Sequence, residues 1–160
     1  MPDDVLEPRL LSLLSGRGAR VPFADATAGV PPDLQGRRPE GLPYAPWELV
    51  EHLRLAQHDI LDYCRPGLYE QPEWPAGYWP PTPAPPSADA WDESRARFAD
   101  DREALRALVR EAADLHAPVP HAQKKAHTFV RQVLLVADHT SYHVGQVVVA
   151  RRLLDCWEAS

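Results

Sequence analysis

Proline placement limits what this chain can fold into more than any other feature. Eighteen of its 160 residues are proline, roughly twice the usual share, and they are clustered. Clustering means long rigid loops between helices rather than disorder throughout. Eight prolines fall in residues 66–87, interleaved with Trp74, Tyr78 and Trp79. That stretch is too aromatic for a flexible linker, which would be rich in Gly and Ser. It reads as a lid or binding loop, or as an insert that its aromatics staple to the body of the domain.

Between the proline clusters the apolar residues repeat at helical spacing. Residues 3–15 form a first helix, with Asp3 or Asp4 as cap and Val5, Leu6, Leu10, Leu13 and Leu14 as its apolar positions. Residues 22–28 hold a short second turn, and Pro31, Pro32, Gly36 and Pro39 make a loop. Pro46 stands at the start of the clearest helix, where proline is favoured. There Leu49, His52, Leu53, Ala56, Ile60 and Tyr63 mark one buried face, and Glu51, Arg54, His58 and Asp62 the opposite, wet face. A further helix runs from Ser87 or Asp89 to Leu115, on Trp91, Phe98, Leu105, Leu108 and Val109. The last runs from about Lys125 to Trp157 and is apolar on most sides, so it is either central or faces a partner subunit. No repeat and no strand-like alternation with hairpin turns appears. The expectation is an all-α four-helix bundle with a long Pro/Trp-rich loop between its second and third long helices.

The length suits a single domain spanning 1–160. The formal net charge of -6 excludes phosphate neutralisation as a source of affinity, so nucleic acid is not an expected partner. Lys124, Lys125, Arg151 and Arg152 make only two short basic pairs. No apolar run is long enough to span a bilayer, and the acidic N-terminus lacks the pattern of a signal peptide. A cytoplasmic location is the default, with no membrane partner. Cys64 and Cys156 have no disulfide-framework or C-x-x-C spacing and read as two reduced thiols at helix ends.

The chemistry concentrates in the last helix, in Asp138-His139-Thr140-Ser141-Tyr142-His143-Val144-Gly145-Gln146. His139 and His143 are four apart, which puts both imidazoles on one helix face. A third metal ligand must come from a second buried face. His52 sits in the apolar stripe between Leu49 and Leu53, whereas His58 lies about half a turn away and should be solvated. His116, His121 and His127 fall at a helix end, in a loop and at a helix start. The pattern leaves two readings: a metal site of His52, His139 and His143, or hydrogen-bonded core imidazoles. Glu48 and Asp138 are near the ligands in sequence, though Asp138 lies about 100° from His139. Gln146 and Tyr142 lie on or beside the histidine face, where they contact a ligand or pack against a neighbouring helix; Gly145 fits close helix packing.

The stretch from His139 to Leu154, with its H-x-x-x-H-x-G-Q core, resembles the final helix of DinB-like proteins. That superfamily includes bacillithiol S-transferases and mycothiol-dependent maleylpyruvate isomerases. The segment Pro46-Trp47-Glu48-Leu49-Val50-Glu51-His52-Leu53 resembles the helix that carries the family's first histidine. The resemblance covers about Leu6 to Leu154. It implies an up-down-down-up bundle and a three-histidine metal site at the mouth of a cleft, frequently in a homodimer. By position the ligands are His52, His139 and His143, and the family's metals include zinc and nickel. The 66–87 insert and the short, broken first helix depart from the shorter members and bear on the substrate more than the fold.

Three neutral imidazoles leave the charge of a dication uncompensated. Open positions on such an ion take water, whose pKa falls to about 7 on zinc, or a thiol, which loses its proton. The expected activity is a metal-dependent transferase of a low-molecular-weight thiol, or a hydrolase, acting on a small molecule. The alternatives are a non-catalytic metal-binding or stress-response module, and a bundle whose histidines are only core residues.

Overall fold

A computed structural model describes residues 3–157 apart from Arg17. The caps expected at Asp3 or Asp4 lie outside the described side chains. Among the described residues the chain is all helical: α1 (Asp3–Leu14), α2 (Phe23–Thr27), α3 (Pro32–Gln35), α4 (Pro46–Cys64), α5 (Ala90–Glu111) and α6 (Phe129–Leu153). A 3-10 turn at Ala76–Tyr78 lies in the proline-rich loop, and no described helix is long and apolar enough to cross a membrane.

Local chemistry explains where the long helices begin and end. Pro46 occupies the first turn of α4, and Glu48 Oε2 accepts from the Ala45 N–H at 2.8 Å, which satisfies a donor that helix geometry leaves free. At the other end Arg65 is extended, as a residue before proline must be, so α4 stops at Cys64. Helix α6 starts at Phe129, four residues later than the apolar pattern suggested. Thr128 is its cap, its hydroxyl accepting from the Arg131 N–H at 3.3 Å. The preceding residues pair elsewhere: Val119 N–H donates to the His127 carbonyl and His127 N–H to the Lys124 carbonyl. Likewise α5 ends at Glu111 rather than Leu115, which is buried in the following loop. The loop expected around Pro31 and Pro32 contains the single turn α3, with Pro32 at its start.

Contacts between helices give their directions. Glu51, Gln57 and His58 of α4 meet Ser94, Phe98 and Asp101 of α5 in ascending order, so α4 and α5 run parallel. His52 meets His139 and His143, whereas Tyr63 meets His127, so α6 runs antiparallel to α4. The long 65–89 connection is what a parallel α4–α5 pair requires. These directions are compatible with an up-down-down-up order.

The core has two halves. One contains Leu10 and Leu14 of α1 with Leu61, Leu105, Val109, Val133 and Val136. The other contains Phe23 and Ala26 of α2 with Leu49, Leu53, Phe98, Val144 and Val147. Helix α1 is too short to line the whole bundle, and α2 completes it by packing on α6. Phe23 stacks on Phe98 with ring centroids 3.8 Å apart.

Between the halves lies Arg102, only 7% exposed. Its guanidinium donates to Gln57 Oε1 at 2.6 Å, the Leu14 carbonyl at 3.2 Å and Thr140 Oγ1 at 2.9 Å. One side chain of α5 therefore ties α4, α1 and α6 together. Burial lowers its pKa to about 9.

One expectation needs correction. The wet face assigned to α4 is half-buried: Glu51 pairs with Arg54 at 2.6 Å and accepts from Ser94, and His58 lies 3.0 Å from Asp101. No residue of α4 is fully exposed, so α4 is the central helix. Of the two positions expected for α6, the central one is not adopted, since Leu134, Leu135, Tyr142, Val149 and Leu153 are exposed on it. Polar residues on α4 mark contacts with α5 that no single-helix periodicity reveals.

Replacing Arg102 with Met should lower unfolding stability by about 3 kcal/mol, because buried acceptors on three helices lose their donor. Urea titration measures this, and an unchanged midpoint would mean that the polar layer contributes nothing.

Candidate metal centre

Helix α4 presents His52, and α6 presents His139 and His143 one turn apart. The structure brings these three together, as their spacing suggested, and leaves the other histidines elsewhere. Their candidate ligand atoms all lie within 4.8 Å of one another, close enough to hold one metal ion. His52 Nε2 is 3.0 Å from His139 Nε2 and 3.2 Å from His143 Nε2. Two imidazole nitrogens on a tetrahedral ion at about 2.0–2.1 Å stand roughly 3.3 Å apart, so the spacing fits.

Proton placement makes the case stronger. His52 Nδ1 is 2.7 Å from the Tyr78 carbonyl, which only accepts, so His52 carries its proton on Nδ1. His143 Nδ1 donates to Gln146 Oε1 at 2.6 Å. Neither ring then has a proton on Nε2, and the 3.2 Å contact between those two nitrogens is no hydrogen bond. Two lone pairs facing each other repel unless a cation sits between them. Such support of the distal nitrogen is also how metal-bound imidazoles are normally oriented.

The surroundings keep the imidazoles neutral. Burial, with smaller contributions from neighbouring histidines, lowers His52 and His139 to about 4. Burial also lowers His143, partly offset by its bond to Gln146. Trp79 lies flat on His52, with centroids 3.9 Å apart and planes 6° apart, and Tyr44 stacks on the far side of Trp79. The proline-rich loop thus supplies one wall of the centre, both as a carbonyl and as an aromatic face.

The expected supporting carboxylates play other parts. Glu48 accepts from Arg38 at 2.6 and 2.9 Å and caps α4, and Asp138 is exposed. Gln146 supports His143, and its place three residues after that histidine was the signal for it. Nothing in the sequence announced the Tyr78 carbonyl, since a backbone group carries no side-chain signature. Tyr142 is exposed beside His143, with ring centroids 4.8 Å apart. Gly145 faces open space rather than a neighbouring helix. Cys64 and Cys156 are both free, and burial pushes the Cys64 thiol up to about 12.

The lowered histidines make the metal-free protein sensitive to acid. Unfolding returns His52 and His139 to about 6.5, so between pH 6.5 and 4 the unfolded chain binds more protons. Stability of chelator-treated protein should therefore be greatest above about pH 6.5 and decline towards pH 4. The decline should be shallower in His139→Leu. Equal slopes for wild type and variant in urea titrations across this range would contradict the burial of neutral imidazoles.

No curated protein and no solved structure matches the chain. The family model of the DinB superfamily matches residues 17–147, a span that includes His52, His139 and His143. With the helical fold, the histidine cluster and that match over most of its length, the chain belongs to the DinB superfamily.

Proposed function

We propose that the protein binds one divalent metal ion, zinc or nickel, through His52, His139 and His143. We further propose that it uses the ion to transfer a low-molecular-weight thiol, or to hydrolyse a small-molecule substrate. The observation that carries the reading is the 3.2 Å approach of two Nε2 atoms whose rings are protonated on Nδ1. When bound, a divalent ion supplies Lewis acidity, which lowers the pKa of a water or thiol at its open positions.

The chain's own residues do the rest. Tyr78 and Gln146 orient two of the imidazoles. Trp79 screens the face of His52 from water. Tyr142, exposed beside His143, offers a hydroxyl to an incoming substrate. The cluster includes no carboxylate, so the ion's charge is left for an anionic substrate group to compensate. That favours a thiolate. The alternative is a non-catalytic metal-binding or stress-response module, and the close stacking of Trp79 over His52 is what favours it.

Elemental analysis should find about one metal per chain in wild-type protein and none in His139→Ala. Removing the support of one ligand, in Gln146→Leu, should weaken metal binding by about 10–100-fold. Metal-loaded protein should then accelerate transfer of a thiol to an electrophile. A rate no greater than that of free metal plus thiol supports the non-catalytic module, and metal-free wild type after dialysis against zinc and nickel rejects both readings.

A homodimer is proposed on α6, where exposed Leu135, Val149 and Leu153 recur at helical spacing. Sedimentation should find a dimer that Val149→Glu converts to monomer; a monomeric wild type would end this reading.

A further inference from the structure

A cavity of about 220 Å³ lies where the end of α1, the start of α2 and the middle of α5 meet. Leu14, Pro22, Phe23 and Phe98 give it apolar walls. Its charges come from Arg20, Arg102, Arg106 and Glu103. None of His52, His139 and His143 lines it.

Three guanidiniums facing one carboxylate make an unbalanced lining. Glu103 Oε1 accepts from Arg106 Nη1 at 2.8 Å, which neutralises one of them. Arg20 and Arg102 have no carboxylate partner among the described residues. Each donates instead to a carbonyl at the end of α1: Arg20 Nη2 to Leu13 at 3.3 Å, and Arg102 Nη1 to Leu14 at 3.2 Å. A helix C-terminus carries roughly half a negative charge, so most of the positive charge of the pair is left uncompensated.

That arrangement is unfavourable in an empty cavity. Arg102 and Arg106 stand four apart on α5, a spacing at which like charges repel. Burial lowers the Arg102 pKa, and the nearby Arg20 lowers it further. Burial lowers Arg20 as well. The donors of Arg102 are committed to three helices, but those of its neighbours are not. Arg20 makes a single side-chain hydrogen bond among the described residues, and Arg106 donates only to Glu103. Most of their N–H groups are open to a ligand.

We propose that this cavity binds the carboxylate of a small organic acid, with Arg20 and Arg106 as its donors. A planar guanidinium meets a carboxylate with two parallel hydrogen bonds. Arg102 is too deeply buried to donate to the ligand and acts through its charge. The stacked rings of Phe23 and Phe98 favour an acid with a hydrocarbon body, which covers them from water as an inorganic anion does not.

The test is calorimetric titration with benzoate at low salt, of protein as purified and after chelation with EDTA. Chelation removes any carboxylate binding at a metal, and neither arm needs turnover, so the result is independent of the proposed metal chemistry. Saturable binding is expected in both arms, with a melting temperature that rises with benzoate concentration. Arg20 lies between α1 and α2, outside both helices. Arg20→Gln should therefore fold, and it should weaken binding about tenfold or more, as should Arg106→Gln. Uncharged benzamide should bind about tenfold more weakly than benzoate, and inorganic phosphate should bind more weakly too. No saturable binding of benzoate to wild type would overturn the proposal. So would benzamide binding as tightly as benzoate, or a folded Arg20→Gln variant with wild-type affinity. Phosphate binding more tightly than benzoate would overturn the choice of an organic acid.

Discussion

The bundle is organised around a charge in its core. Arg102 leaves water without a carboxylate to receive it, which is unfavourable unless its donors are used. They are used on three other helices, through Gln57, Leu14 and Thr140. Thr140 in turn donates to the Val136 carbonyl at 2.6 Å, so its hydroxyl is committed on both sides. The residue before Thr140 is His139. Rotating α6 by one residue, about 100°, would break the Arg102 layer and carry both histidines away from His52. The apolar halves of the core tolerate many side-chain arrangements of the right volume. A buried guanidinium with three directed bonds tolerates few, and so the layer sets the register in which the histidines meet.

The second constraint is the loop between α4 and α5. It is long, yet it provides a carbonyl and an aromatic face at fixed distances from His52. Its composition explains this, because proline restricts the backbone and aromatic rings bury area at low entropic cost. Close packing holds it at two points. A side chain at Gly36 would place its Cβ 2.4 Å from Ala84, and one at Gly77 would lie 2.8 Å from Pro72. Glycine at those positions lets the loop lie against α3 and against itself. The loop is both stapled to the domain and part of the site.

What could be read from the sequence divides along physical lines. Spacing within one helix was legible: the i, i+4 pair His139 and His143, and His52 in an apolar stripe, are properties of a single element. The four long helices were legible for the same reason, and so was the family, from the motif around His143. Relations between elements were not. The polar side of α4 looked wet because periodicity does not know that α5 covers it and supplies Ser94 and Asp101. The apolar breadth of α6 fitted either a central or a partner-facing position, and the better covered helix is α4, whose Glu51 and Gln57 have partners on α5 that a linear reading cannot name. Backbone groups were the least legible, and the Tyr78 carbonyl is the case that matters for the site.

Tyr78 shows how the loop fixes one member of the histidine cluster. A tyrosine fixed at both ends cannot shift one contact without straining the other. Its carbonyl sets the tautomer of His52, and its hydroxyl, with that of Tyr69, occupies Asp59. Asp59 follows His52 by seven residues, about 10 Å along α4. A loop pinned at two points of one helix cannot slide along it, so Trp79 is kept flat against His52. The orientation of an imidazole on α4 therefore depends on the packing of a proline-rich insert as much as on the helix that carries it.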